Sequence, residues 1–176
     1  MFRLLIFAFF FAPFLLAENS LLLDTQIKMI PKIMALDNNI NQYNDTSTAM
    51  LGIVYDDGRS KFATSVAEKI NLYYKGKVGS LKFTAIAIHI DELSARRDLS
   101  FVYLLDASQS SILQAITISK EKKIPSFVYN IADLSLGALG SISIERSTII
   151  TLNKNTLKSG NYHFNDALYQ MARWTE

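Results

Sequence analysis

The chain has 176 residues, 49% of them apolar, with 18 basic and 16 acidic side chains, a net charge of +2 and no cysteine. A balance this close to neutral carries no electrostatic footprint for nucleic acid or an anionic membrane. Without cysteines a disulfide-stapled scaffold is excluded, so stability has to come from an ordinary hydrophobic core, which a chain of this length can build as one domain.

The N-terminus reads as an export signal. Arg3 precedes an apolar run from Leu4 to Leu16 that ends at Ala17, matching a positive n-region, an h-region of about 7–15 residues and a small residue at the cut. Cleavage after Ala17 leaves residues 18–176 as a single mature domain beginning at Glu18, with 17 basic and 16 acidic groups. The run is shorter than the roughly 20 residues of a membrane span, and Pro13 interrupts it. An uncleaved N-terminal anchor is the alternative. Either places the rest of the chain in the periplasm, away from ATP and NADH, which disfavours kinase-like and dehydrogenase-like functions.

Between Asn19 and Leu36, the residues Leu22, Leu23, Ile27, Ile30, Ile33 and Met34 recur at three- and four-residue steps and predict an amphipathic helix. Pro31 lacks an N–H, so a kink or break is expected there. The polar stretch Asp37 to Thr48 predicts a surface loop. Its Asn44-Asp45-Thr46 matches a glycosylation acceptor by pattern alone. Met50 to Tyr55 is a short strand stopped by Asp56, Asp57 and Gly58. A helix follows from Ser60 to about Lys75, with Phe62, Val66, Ile70 and Tyr73 or Tyr74 on its inner face and Lys75-Gly76-Lys77 closing it.

Leu81 to Ile90 is apolar on both faces and predicts a covered strand. The charged run Asp91 to Asp98 predicts a short exposed helix or turn, and Leu99 to Leu105 a strand ended by Asp106. Ser108 to Lys122 is a helix burying Ile112, Leu113, Ile116 and Ile118, with basic residues at its C-terminus. The strand Pro125 to Tyr129 follows, where a leading proline costs no central ladder bond. After a connector with Gly137 and Gly140 come Ser141 to Glu145 and Thr148 to Asn153, a hairpin around Arg146-Ser147. A last helix from Asn165 to Trp174 is expected to dock Leu168, Met171 and Ala172. Strands and helices alternating with short connections imply an α/β sandwich with a largely parallel sheet covered by helices on both faces, closed by a β-hairpin and helix.

Asp56 and Asp57 after one strand and Asp106 after another imitate the acidic triad of a phospho-acceptor domain, where clustered carboxylates hold a hard cation. No strand ends in a matching lysine, and acidic residues that terminate strands and cap helices explain the same pattern. His89 and His163 have no carboxylate at metal-ligand spacing, and no zinc, nucleophile-elbow or phosphate-loop motif occurs. Neither a catalytic constellation nor a cofactor is expected. Adjacent aromatics such as Tyr73-Tyr74 cannot both point inward. Exposed ones would suit a contact surface, a homodimer included.

The signal, the first helix, the Leu51-Gly52 strand and the tail from Val128 to Trp174 together resemble the YfiR-like family of periplasmic proteins. In the tail, Val128-Tyr129-Asn130-Ile131-Ala132-Asp133, Ala138-Leu139-Gly140-Ser141-Ile142, Ile150-Thr151-Leu152-Asn153 and Leu157-Lys158-Ser159-Gly160 carry the likeness. The cysteines of many relatives are missing here. The resemblance implies a non-catalytic regulator that binds and restrains the periplasmic part of an inner-membrane diguanylate cyclase. The alternative from the residues is a small-ligand-binding module resembling one lobe of a solute-binding protein. Ligands in open parallel sheets sit beyond the carboxyl ends of the strands. That edge would present Asp56, Asp57, Gly58 and Arg59, then Asp106, Ser108 and Gln109, then Asn130 and Asp133.

Overall fold

In a computed structural model, which describes residues 5–40 and 48–176 and side chains from residue 20 onward, eight strands form one sheet among the described residues. They are β1 (Ala49–Tyr55), β2 (Lys77–Val78), β3 (Leu81–His89), β4 (Phe101–Leu104), β5 (Ser126–Val128), β6 (Gly140–Ile144), β7 (Thr148–Asn153) and β8 (Ala172–Thr175), in the order β2-β3-β1-β4-β5-β6-β7-β8. The run β3-β1-β4-β5-β6 is parallel. β7 turns back antiparallel to β6, and β8 lies parallel to β7 at one edge. At the other edge β2 is antiparallel to β3. The expected α/β sandwich with its C-terminal hairpin is the fold.

Alternation along the buried strands sends side chains to both faces. Leu51, Ile53, Phe101, Tyr103 and Phe127 pack against α1 (Leu5–Met34) and α2 (Ser60–Tyr74). Val54, Val102, Leu104 and Val128 face the other way, against α3 (Ile90–Leu93), α4 (Gln109–Glu121) and the short 3-10 helix Ile131–Leu136. α5 (Lys154–Ser159) and α6 (Asp166–Met171) precede β8.

The face under α1 contains one polar tie. Buried Gln26 donates through Nε2 to the carbonyls of Tyr129 (3.0 Å) and Ile142 (2.7 Å), and its Oε1 accepts from the Tyr103 hydroxyl. One α1 side chain thus pins the helix to three central strand segments.

Several local expectations are corrected. α1 runs through Pro31 without a break and ends at Met34. Proline removes one hydrogen bond, and the burial of Ile27, Ile30, Ile33 and Met34 on either side holds the last turns in place. The last helix stops at Met171, and Ala172 to Thr175 becomes a strand because β7 offers an open edge there. Phe62 and Leu113, expected inside, are exposed. The polar stretch after β7 forms α5, capped by Asn153, whose side chain accepts from Thr156 N–H. The side chains of the export signal, and Asn44-Asp45-Thr46, lie outside the described residues. No helix among the described residues is long and apolar enough to cross a membrane.

Candidate functional site

β1 leads through α2 to β3 on one side, and β4 leads through α4 to β5 on the other. The carboxyl ends of β1 and β4 therefore flank the point where the winding reverses, the position at which open α/β sheets leave a crevice. The turn after β1 folds tightly: Arg59 N–H donates to Asp56 O (3.3 Å) and Gly58 adopts φ +80°, which glycine takes without strain. That geometry brings Arg59 back over the strand ends, where its guanidinium pairs with Asp106 at 3.1 Å. Asp56 bridges the same two loops, accepting from Ser108 N–H at 3.2 Å.

Arg59, Phe62, Leu105, Asp106 and Tyr129 line a cleft of about 280 Å³. Tyr129 follows β5 directly and is held there as its N–H donates to Leu104 O at 2.9 Å. Burial pushes its phenol pKa up; nearby Asp106 adds to this and Arg59 opposes it. Burial, then Asp106, also raises the Asp133 carboxyl above its ordinary range. Asp106 thus acts on both Tyr129 and Asp133, and Arg59 on Tyr129.

The remaining expected residues divide by role. Ser108 and Asn130 spend their side chains as helix caps, accepting from Ser111 N–H (3.2 Å) and Ala132 N–H (3.1 Å). Gln109 is exposed at the start of α4. Asp57 points away toward β3, where His89 Nε2 lies 3.2 Å from its Oδ1. On its other side His89 Nδ1 lies 3.4 Å from Asp91 N and 3.5 Å from the Asp91 carboxylate. The idea that the strand-ending aspartates cap the following helices is corrected, since Asp56 bonds Ser108 across the crevice and Asp106 pairs with Arg59. Phe62 and Tyr129 are the walls that sequence reading missed. Phe62 fits the apolar spacing of α2, whereas Tyr129 could have been found as the aromatic at a strand's carboxyl end.

The cleft holds the groups needed to bind a small molecule. Arg59 offers a forked donor for a carboxylate or phosphate, Asp106 can accept from hydroxyl or ammonium groups, and Phe62 and Tyr129 supply apolar faces. The hydroxyls of Ser108, Ser110 and Ser111 bond one another. Among the described residues no hydroxyl is paired with an imidazole, and no group of three or more His, Cys, Asp or Glu could hold a metal ion. A larger groove, about 530 Å³, lies elsewhere, around Tyr169 and Trp174. Topology and the opposed charges favour the crevice as the main site.

No known protein-family model matches the chain, and no curated protein gives a significant match. Solved structures do. A conserved domain protein from Vibrio cholerae O1 biovar El Tor is similar with a TM-score of 0.60 at 14% identity, over 88% of this chain and 60% of that one. The ligand-free, open structure of a substrate binding protein with adhesive properties from Clostridium difficile is similar with a TM-score of 0.58 at 13% identity, over 87% of this chain and 59% of that one. This chain spans about three fifths of the length of each. At such identities the likeness is one of fold alone, the α/β sandwich described above.

Proposed function

We propose that the protein is an exported, non-enzymatic binding domain that takes a small polar molecule in the crevice between Arg59, Asp106 and Tyr129. The observation that carries this reading is the Arg59–Asp106 pair, a cation and an anion side by side at the winding reversal with aromatic walls beside them. Charged groups placed among apolar surfaces are what fix orientation and specificity in small-molecule sites. The similarity in fold to a substrate binding protein supports it. A thermal-shift screen of the 18–176 chain against a metabolite panel tests it, since a ligand that binds only the folded state raises the melting temperature. At least one compound should do so for the wild type and fail with Arg59→Ala. A flat response across the panel, or an undiminished shift in the variant, would contradict the reading.

A second reading, restraint of an inner-membrane diguanylate cyclase, has its own support in exposed Leu21 on α1 and exposed Leu72 and Tyr73 on α2, two helices that meet where Lys28 lies 5.9 Å from the Tyr73 ring. Apolar surface of this kind suits a protein contact. Deletion of the gene should then raise cellular cyclic-di-GMP; an unchanged level would remove this reading.

A further inference from the structure

The groove around Trp174 lies at the other end of the molecule. β7 runs antiparallel to β6, so its last residues lie beside Gly140, where β6 begins, at the amino edge of the parallel strands. The segment leaving that end forms α5, the turn 160–165 and α6, and returns as β8 with Trp174 opposite Leu152. The lining is Leu157, Lys158, Asn161, Tyr162, His163, Tyr169 and Trp174 around about 530 Å³, within the range of about 300–1,000 Å³ typical of small-molecule sites.

The walls are fixed with their apolar faces inward. Tyr162 donates through its hydroxyl to Ile124 O (3.2 Å), and the Tyr169 hydroxyl accepts from Phe164 N–H (2.8 Å), so both phenols are tied at their polar ends. Trp174 leans on Tyr169, ring centres 5.9 Å apart at 35°, and remains 42% exposed. Gly160 lets the turn close over Tyr162: a Cβ there would lie 2.1 Å from the ring. Asn161 takes the left-handed conformation (φ +53°), and its Oδ1 lies 3.0 Å from His163 Nε2. An exposed left-handed asparagine with its side chain on a neighbouring imidazole gives the rim a defined shape. The charge at the rim has one sign, because Lys158 lines the groove and no carboxylate does.

We propose that this groove is a second binding site, separate from the Arg59 crevice, for a flat aromatic molecule carrying a negative charge. The ring stacks on Trp174 and Tyr169, where offset aromatic pairs are favoured, and the anion is met by Lys158. Calorimetric titration of the 18–176 chain with 2-naphthoate, 2-naphthylmethylammonium and cyclohexanecarboxylate tests it. Naphthoate should bind at one site, roughly tenfold more tightly than the cation with the same ring or the acid without one. Lys158→Gln should remove the preference for the anion while keeping the ring, and Trp174→Ala should remove binding. Lys158 is exposed, so its variant keeps the test valid should Trp174→Ala fail to fold. Equal affinity for all three probes, no naphthoate binding at millimolar concentration, or insensitivity to Lys158→Gln would overturn the proposal. So would a concentration-dependent dimer that Trp174→Ala dissociates and whose monomer does not bind naphthoate, which would give the groove to a second copy of the chain.

Discussion

Arg59 and Asp106 stand 47 positions apart in the sequence, on the loops after β1 and β4, and meet at 3.1 Å. Their side chains are 42% and 50% exposed, and an ion pair this open contributes about 0–1 kcal/mol to stability. Arg59→Ala and Asp106→Asn are therefore expected to change urea-unfolding stability by less than about 1 kcal/mol while abolishing ligand-dependent thermal shifts. Loss of several kcal/mol in either variant would show the pair to be structural.

Asp133 makes the stability of the fold sensitive to pH. Burial first, and Asp106 second, raise its carboxyl pKa in the folded protein. A folded value above the unfolded one means that the group's contribution to stability is fully present below the unfolded pKa and is lost as pH rises through the folded value. Asp133→Asn keeps the neutral form at every pH. Its melting temperature should exceed that of the wild type at pH 7 and match it at pH 3. A gain that persists unchanged at pH 3 would contradict the assignment.

The Gln26 tie makes a prediction about the core. Tyr103→Phe leaves Gln26 Oε1 without its donor inside the protein, and a buried polar atom left unpaired costs about 1–3 kcal/mol. Gln26→Leu strips partners from the Tyr103 hydroxyl and from two carbonyls at once. It should cost more than Tyr103→Phe, measured by denaturant midpoints. Equal losses would mean that the carbonyls find other donors.

Gly140 is required by contact rather than by backbone conformation. A Cβ there would lie 2.5 Å from Phe127 Cζ, and that ring is fully buried opposite it in the β5–β6 register. Gly140→Ala is expected to destabilise by about 1–3 kcal/mol, the usual cost of overpacking. Phe127→Leu in the same chain should recover part of the loss, which differential scanning calorimetry can read.

Most elements were visible in the sequence because their signals are local. Asp56-Asp57-Gly58 ends β1, the helix read from Ser108 is α4, and the Arg146-Ser147 turn joins two β-rich runs that do pair. β8 was hidden because Leu168, Met171 and Ala172 fit a helical repeat. What turns Ala172–Thr175 into a strand is the free edge of β7, a non-local feature. The site shows the same division. The loops of the crevice follow from strand ends, and so Asp56, Arg59 and Asp106 could be named in advance. Of its walls, Tyr129 was open to the same reasoning, whereas Phe62 fits the apolar spacing of α2 that reads as core and is nevertheless exposed. The Trp174 groove depends on β8 and could not be anticipated without it.

Where a ligand sits is best decided by a crystal structure of the 18–176 chain soaked with the compound of largest thermal shift. Density beyond the ends of β1 and β4, touching Arg59 and Tyr129, is the predicted result. Density confined to the Trp174 groove, with the Arg59–Asp106 crevice filled only by solvent, would contradict the assignment of the crevice as the binding site.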